Sequence, residues 1–188
     1  MKLSKAIQLA EGNDACGEAL DKLKELLDSD VTKVEELVNH EDAPFWAYWF
    51  AKNVIKGPWP EGEDAISKDT YFSYQYAKEV LKGPWPKGED AIIQDAGCAY
   101  CYARDVIKGP WPEGEDTISK DAEWSYYYAK AVIKGPWPKG EDAISKDTYF
   151  SYQYAKEVLK GPFPKGEKAI SKDAFWSSRY NDYIKGRV

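Results

Sequence analysis

A 26-residue period runs through this chain and leaves few folds open to it. Lys-Gly-Pro recurs at Lys56, Lys82, Lys108, Lys134 and Lys160, and Lys185-Gly186 repeats its first two residues. Such a period marks an array whose units are too small to bury an apolar face alone and must stack to do so. One copy, Lys56 to Leu81, reads KGPWPEGEDAISKDTYFSYQYAKEVL. Gly57-Pro58 is a helix stop, with the glycine expected in the left-handed cap and the proline unable to continue the helix. Pro60 suits the first turn of a new helix, where its missing N–H is not needed. Glu61, Glu63 and Asp64 put negative charge at that helix's positive end. The pattern predicts a short helix over about residues 60–67, burying Ala65 and Ile66. Asp69 is a good N-cap for a longer helix over about 70–82.

At about 100° per residue, Phe72, Ser73, Tyr76, Ala77, Val80 and Leu81 share the half of the long helix expected to be buried. Tyr71, Gln75, Lys78 and Lys82 fall opposite, with Tyr74 and Glu79 at the margins. The predicted fold is all-α: a right-handed α-solenoid of six 26-residue helix-turn-helix repeats. Their bounds are about 31–56, 57–82, 83–108, 109–134, 135–160 and 161–188. Residues 1–30 lie outside the period and read as a two-helix N-terminal cap. Val31, Val34, Leu37 and Val38 form the short helix of a diverged first repeat. Apolar residues at 43% and aromatics at 15% suit such a packed array.

Equivalent positions form ladders. The corner carries Trp59, Trp85, Trp111, Trp137 and Phe163; the core of the long helix carries Trp46, Phe72, Cys98, Trp124, Phe150 and Trp176. The corner tryptophans are expected between units. Gly62 to Glu89 matches Gly140 to Glu167 except for Trp85 against Phe163. Such sameness fits a fast-changing binding protein better than an enzyme, whose single active site breaks repeat symmetry.

The capped short helix, Asp N-cap, aromatic-and-alanine long helix and proline corner resemble small α-helical solenoid repeats of the leucine-rich-variant and HEAT-like kinds over residues 31–185. The wording of the repeat is also similar to that of uncharacterised proteins of tailed bacteriophages and environmental bacteria. That likeness implies a phage or mobile-element setting, and it brings no catalytic residues with it.

The leading functional candidate is a ridge on the long helices. Lys52, Lys78, Arg104, Lys130 and Lys156 form one basic ladder, and the Lys-Gly-Pro lysines form a second. Tyr48, Tyr74, Tyr100, Tyr126 and Tyr152 flank them. Aromatics beside cations serve as anchors in protein interfaces and as base-stacking platforms in nucleic-acid binders. The alternative is that the lysines pair across repeats, Lys78 and Lys82 with Glu79 and Asp69. A second candidate is the third repeat, where Gly97 and Cys98 stand in place of Tyr71 and Phe72. Either a notch opens near Gly97, Cys98 and Cys101, or neighbours fill the space. Cys98 and Cys101 form a CxxC inside a helix, but zinc needs two more ligands at matching spacing. The remaining candidates, Cys16 and His40, are not so spaced, so no metal or cofactor is expected.

Catalysis finds no support, since the only histidine has no nucleophile to assemble with and no glycine-rich phosphate loop occurs. The expectation is a non-enzymatic scaffold that binds a protein partner; if the phage likeness holds, an inhibitor of a host or defence complex. The alternative is nucleic-acid or nucleotide binding through the Tyr/Lys stripe, which a net charge of −6 disfavours. The absence of a membrane-length apolar run or a signal-like start, with three cysteines and no disulfide framework, points to the cytoplasm.

Overall fold

The computed structural model describes residues 3–12, 17, 20, 21, 24 and 42–186, and among them every regular element is helical with no strand. Most of the second cap helix, the short helix of the first repeat, Cys16 and His40 lie outside the described residues. The chain divides into two compact units, Met1–Ile92 and Ile93–Val188. The first holds α1 (Leu3–Gly12), α2 (Ala43–Phe50), α3 (Pro60–Ile66), α4 (Thr70–Gln75) and α5 (Pro86–Ile92). The second holds α6 (Ala96–Tyr102), α7 (Pro112–Ile118), α8 (Ala122–Tyr127), α9 (Glu141–Ile144), α10 (Thr148–Gln153), α11 (Pro164–Ile170) and α12 (Ala174–Lys185). No helix among the described residues is long and apolar enough to cross a membrane.

The helix starts follow from the residues predicted to make them. Asp69, Asp95, Asp121 and Asp147 accept from the backbone N–H three residues on, at 2.8–3.0 Å. This satisfies one of the four orphan donors at each start. The helix ends differ from expectation. The left-handed residue is the lysine and not the glycine: Lys56, Lys82, Lys108, Lys134 and Lys160 have φ between 51° and 61°, and no described glycine has positive φ. The proline explains this. A residue before proline is pushed out of the helical region toward extended backbone, so Gly57 cannot serve as the cap and the left-handed step moves back to Lys56. The helix then ends in a wider π turn, Ala51–Ile55, with the N–H groups of both Lys56 and Gly57 donating to the carbonyl of Ala51. The same turn follows α4, α6, α8 and α10, over Tyr76–Leu81, Ala103–Ile107, Tyr128–Ile133 and Tyr154–Leu159.

Each long helix packs against the short helix that follows it across the corner: α2 on α3, α4 on α5, α6 on α7, α8 on α9 and α10 on α11. Within each unit, long helices also pack on the next long helix. The corner aromatic is the plug of this hairpin and is buried in all five copies. Trp59 meets Phe50 with ring centroids 5.0 Å apart, Trp111 meets Tyr102 at 4.8 Å and Trp137 meets Tyr128 at 4.7 Å. The floor under each plug is a glycine of the short helix. A Cβ on Gly62, Gly88, Gly114, Gly140 or Gly166 would stand 2.2–2.5 Å from a ring carbon. Gly62, Gly88, Gly114 and Gly166 lie inside their short helices, and Gly140 ends the 3-10 turn Pro138–Gly140 that leads into α9. Buried Ser73, Ser125 and Ser151 donate to the carbonyls of Ile66, Ile118 and Ile144 at 2.8–3.0 Å, satisfying acceptors that the short helices leave open at their ends.

Candidate functional site

Tyr48, Tyr74, Tyr100, Tyr126 and Tyr152 are 3–9% exposed. Their rings are packed inward and not displayed. Tyr48 lies 5.6 Å from Phe72, Tyr126 5.8 Å from Phe150 and Tyr152 5.3 Å from Trp176, while Tyr100 stacks on Trp124 at 5.6 Å. The wheel placed this rung at the margin because it considers one helix at a time; over Tyr48, Tyr100, Tyr126 and Tyr152 an aromatic of the next long helix closes.

Lys52, Lys78, Arg104 and Lys130 each donate to the tyrosine hydroxyl four residues earlier, at 2.9–3.2 Å. Their charges, and that of Lys156, lie 5.0–5.7 Å from the ring centroids. Tyr48 donates onward to Glu79 at 2.7 Å and Tyr126 to Glu157 at 2.8 Å, and those carboxylates also pair with Lys52 and Lys130. Cross-repeat pairing is therefore present, but Glu79 pairs with Lys52, 27 residues earlier. Lys130 and the Tyr126 hydroxyl hold the Glu157 carboxyl below its ordinary range. Burial opposes the same shift at Glu79, where Lys52 and Tyr48 prevail. Burial and then the neighbouring carboxylate push the Tyr48 and Tyr126 hydroxyls up to about 12. In the third repeat the pattern breaks. The residue 27 positions after Arg104 is Ala131, and Arg104 instead forks onto Asp105 of its own helix at 2.6 and 3.0 Å.

A second tyrosine rung is wholly structural. Tyr76 accepts from the backbone N–H of Trp59 at 2.9 Å and donates to Glu63 at 3.1 Å. Tyr128, Tyr154 and Tyr180 do the same with Trp111 and Glu115, Trp137 and Glu141, and Phe163 and Glu167. Each hydroxyl thus locks a corner to the long helix that follows it.

At the third repeat, the space left by the missing tyrosine holds the indole of Trp124: a Cβ on Gly97 would meet that ring at 3.0 Å. Cys98 and Cys101 are half-buried, and the Arg104 guanidinium lies 4.0 Å from the Cys101 sulfur. Among the described residues no group of three or more His, Cys, Asp or Glu is placed to hold a metal ion.

Two surface features emerge that were not singled out from the pattern. The first is aromatic. Tyr71 is 54% exposed, Tyr149 40% and Phe175 56%. They belong to contiguous clusters: Tyr71 with Phe72 and Phe45 in the first unit, and Tyr149 and Phe175 on either side of Trp176 in the second. The signal was available, because Tyr71 falls on the polar half of its helix, where a large ring has no packing reason to be. The second is a cleft where adjacent long helices end. In the first unit it holds about 430 Å³ and is lined by Lys52, Lys56, Pro58, Glu79, Val80 and Lys82. In the second it holds about 370 Å³ and is lined by the equivalent Lys130, Lys134, Pro136, Glu157, Val158 and Lys160.

No protein-family model matches this chain, and neither a curated protein nor a solved structure is found similar to it.

Proposed function

We propose that this chain is a non-enzymatic helical-repeat scaffold that binds a protein partner through the outer face of its long helices. The observation that carries the reading is the pair of exposed aromatic clusters at the starts of those helices, Phe45 and Tyr71 in one unit and Tyr149 and Phe175 in the other. Rings in water cost free energy that a partner recovers on burial, and interface energy concentrates in such aromatic anchors. The right-handed six-repeat solenoid is part of the proposal, since a stacked array presents the same positions side by side to an extended partner. A host or defence complex is the partner expected from the phage likeness. Nucleic-acid binding is the weaker reading: the tyrosines that would stack bases are packed internally, and two of the ridge lysines are already neutralised by glutamates.

The test compares wild type with a Tyr71→Ser/Tyr149→Ser/Phe175→Ser variant in capture from bacterial lysate, read by mass spectrometry with and without nuclease. A stoichiometric protein retained by wild type, resistant to nuclease and lost with the variant, supports the reading. Capture that nuclease abolishes, or that the variant keeps in full, overturns it.

A further inference from the structure

The clefts at the long-helix ends have a defined electrostatic content. Each brings together three lysines and one glutamate. The glutamate is committed to the inner lysine and to a tyrosine hydroxyl. The Lys56, Lys82, Lys134 and Lys160 side chains have no hydrogen-bond or ion-pair partner among the described residues, and their backbones sit in the left-handed region that disfavours L-residues. The cleft's side chains carry a formal charge of plus two. Two helix C-termini point into the same region, each equivalent to about half a negative charge, which leaves a balance of about one positive charge. A polyphosphate is poorly matched to that balance, whereas a single carboxylate is well matched. Pro58 and Val80, or Pro136 and Val158, line the rest of the cleft, which accommodates the apolar stem of an acidic side chain. The chain's net charge of −6 disfavours a continuous polyanion as the occupant.

We infer that each cleft is a docking site for one aspartate or glutamate side chain of an acidic peptide segment, with the carboxylate held between Lys56 and Lys82 in the first unit and between Lys134 and Lys160 in the second. The assignment rests on the protein-partner reading for the source of the acid, but it concerns different residues.

Backbone amide NMR of the full chain, titrated at low salt with a ten-residue peptide of alternating glutamate and alanine, tests it. A lysine-alanine peptide and a ten-nucleotide thymidine strand serve as comparators. The amide signals of Gly57 and Gly135 should move with the acidic peptide alone. A Lys56→Gln/Lys82→Gln/Lys134→Gln/Lys160→Gln variant should bind at least tenfold more weakly. A Lys68→Gln/Lys120→Gln/Lys146→Gln/Lys172→Gln variant, which removes the same charge from outside the clefts, should bind as wild type. If the first variant melts early, glycine at the same four positions, which suits the left-handed backbone, carries the comparison. Corner amides that stay still up to millimolar peptide overturn the inference. Equal losses in the two variants also overturn it, as does tighter binding of the thymidine strand at the same amides. None of these failures bears on Tyr71, Tyr149 and Phe175, so the scaffold reading stands or falls separately.

Discussion

Gly62 to Glu89 in the first unit and Gly140 to Glu167 in the second differ at one residue, Trp85 against Phe163. Hydrogen bonds that they make are duplicated. Thr70 and Thr148 donate to the carbonyls of Ala91 and Ala169 at 3.0 and 2.9 Å, and Ser73 and Ser151 to Ile66 and Ile144 at 3.0 and 2.8 Å. The surfaces are not duplicates. Tyr149 lies against Trp176 at 5.2 Å and is 40% exposed, while Tyr71 is 54% exposed. The residue 27 positions after Tyr71 is Cys98, where Trp176 follows Tyr149. Identical sequence therefore fixes the hairpin, and in the second copy the Trp176 ring of the next repeat lies against the outer aromatic. Neighbours at fixed positions thus vary the exposed surface and leave the repeat's own structural bonds intact.

Paired substitutions in the two copies test this division. Trp85→Ala and Phe163→Ala remove the corner plugs and should each cost about 3–5 kcal/mol, read from urea unfolding; an unchanged midpoint in either copy would mean its ring is not holding the hairpin. Gly88→Ala and Gly166→Ala should each cost about 1–3 kcal/mol through overpacking, because the added Cβ meets a ring carbon at 2.3 and 2.4 Å. A loss confined to Gly88→Ala would show that the smaller phenyl ring yields and would break the equivalence of the copies. Tyr76→Phe and Tyr154→Phe strand the backbone N–H of Trp59 and Trp137, at about 1–3 kcal/mol each. The smallest expected effect has the opposite sign. Lys82→Gly and Lys160→Gly relieve a left-handed L-residue, worth about 1–2 kcal/mol, against about 0.5–1 kcal/mol of added chain entropy in the unfolded state. A net gain of about 0.5 kcal/mol is expected in both.

Much of this hairpin is legible in the residues. The aspartate caps, the proline starts, the burial of the corner tryptophans and the recurrence of the unit follow from local rules about orphan N–H groups, fixed φ and the size of an indole. What was not legible depends on two constraints acting together or on a second helix. Gly57 looked like the left-handed cap until the following proline is weighed against it, and the cap then falls on Lys56. Gly62 falls inside the predicted short helix, and only the approach of the Trp59 ring shows why a side chain is excluded there. Tyr74 sat at the margin of a helical wheel, and the burial of its equivalents Tyr48, Tyr100, Tyr126 and Tyr152 follows from rings that the next long helix supplies. The outer aromatics were visible as an anomaly on a polar face, yet the lysine ladder beside them drew the functional reading to the buried rung.

The central claim is that tyrosine hydroxyls are structural joints of the array and not its ligand-facing surface. Tyrosine in water titrates near pH 10. Burial above all, helped by adjacent carboxylates, pushes Tyr48, Tyr76, Tyr126 and Tyr128 up to about 12 and raises Tyr154 and Tyr180 as well. Because the folded state binds these protons more tightly than the unfolded chain, the stability they contribute is fully present below about pH 10 and is lost as pH rises toward 12. Tyrosinate absorbance followed beside helical circular dichroism from pH 8 to 13 reads this directly. The account predicts that these six phenols are withheld past pH 10 and ionise together with the loss of helix. Complete ionisation of all fourteen tyrosines near pH 10, with the helical signal intact, would contradict it.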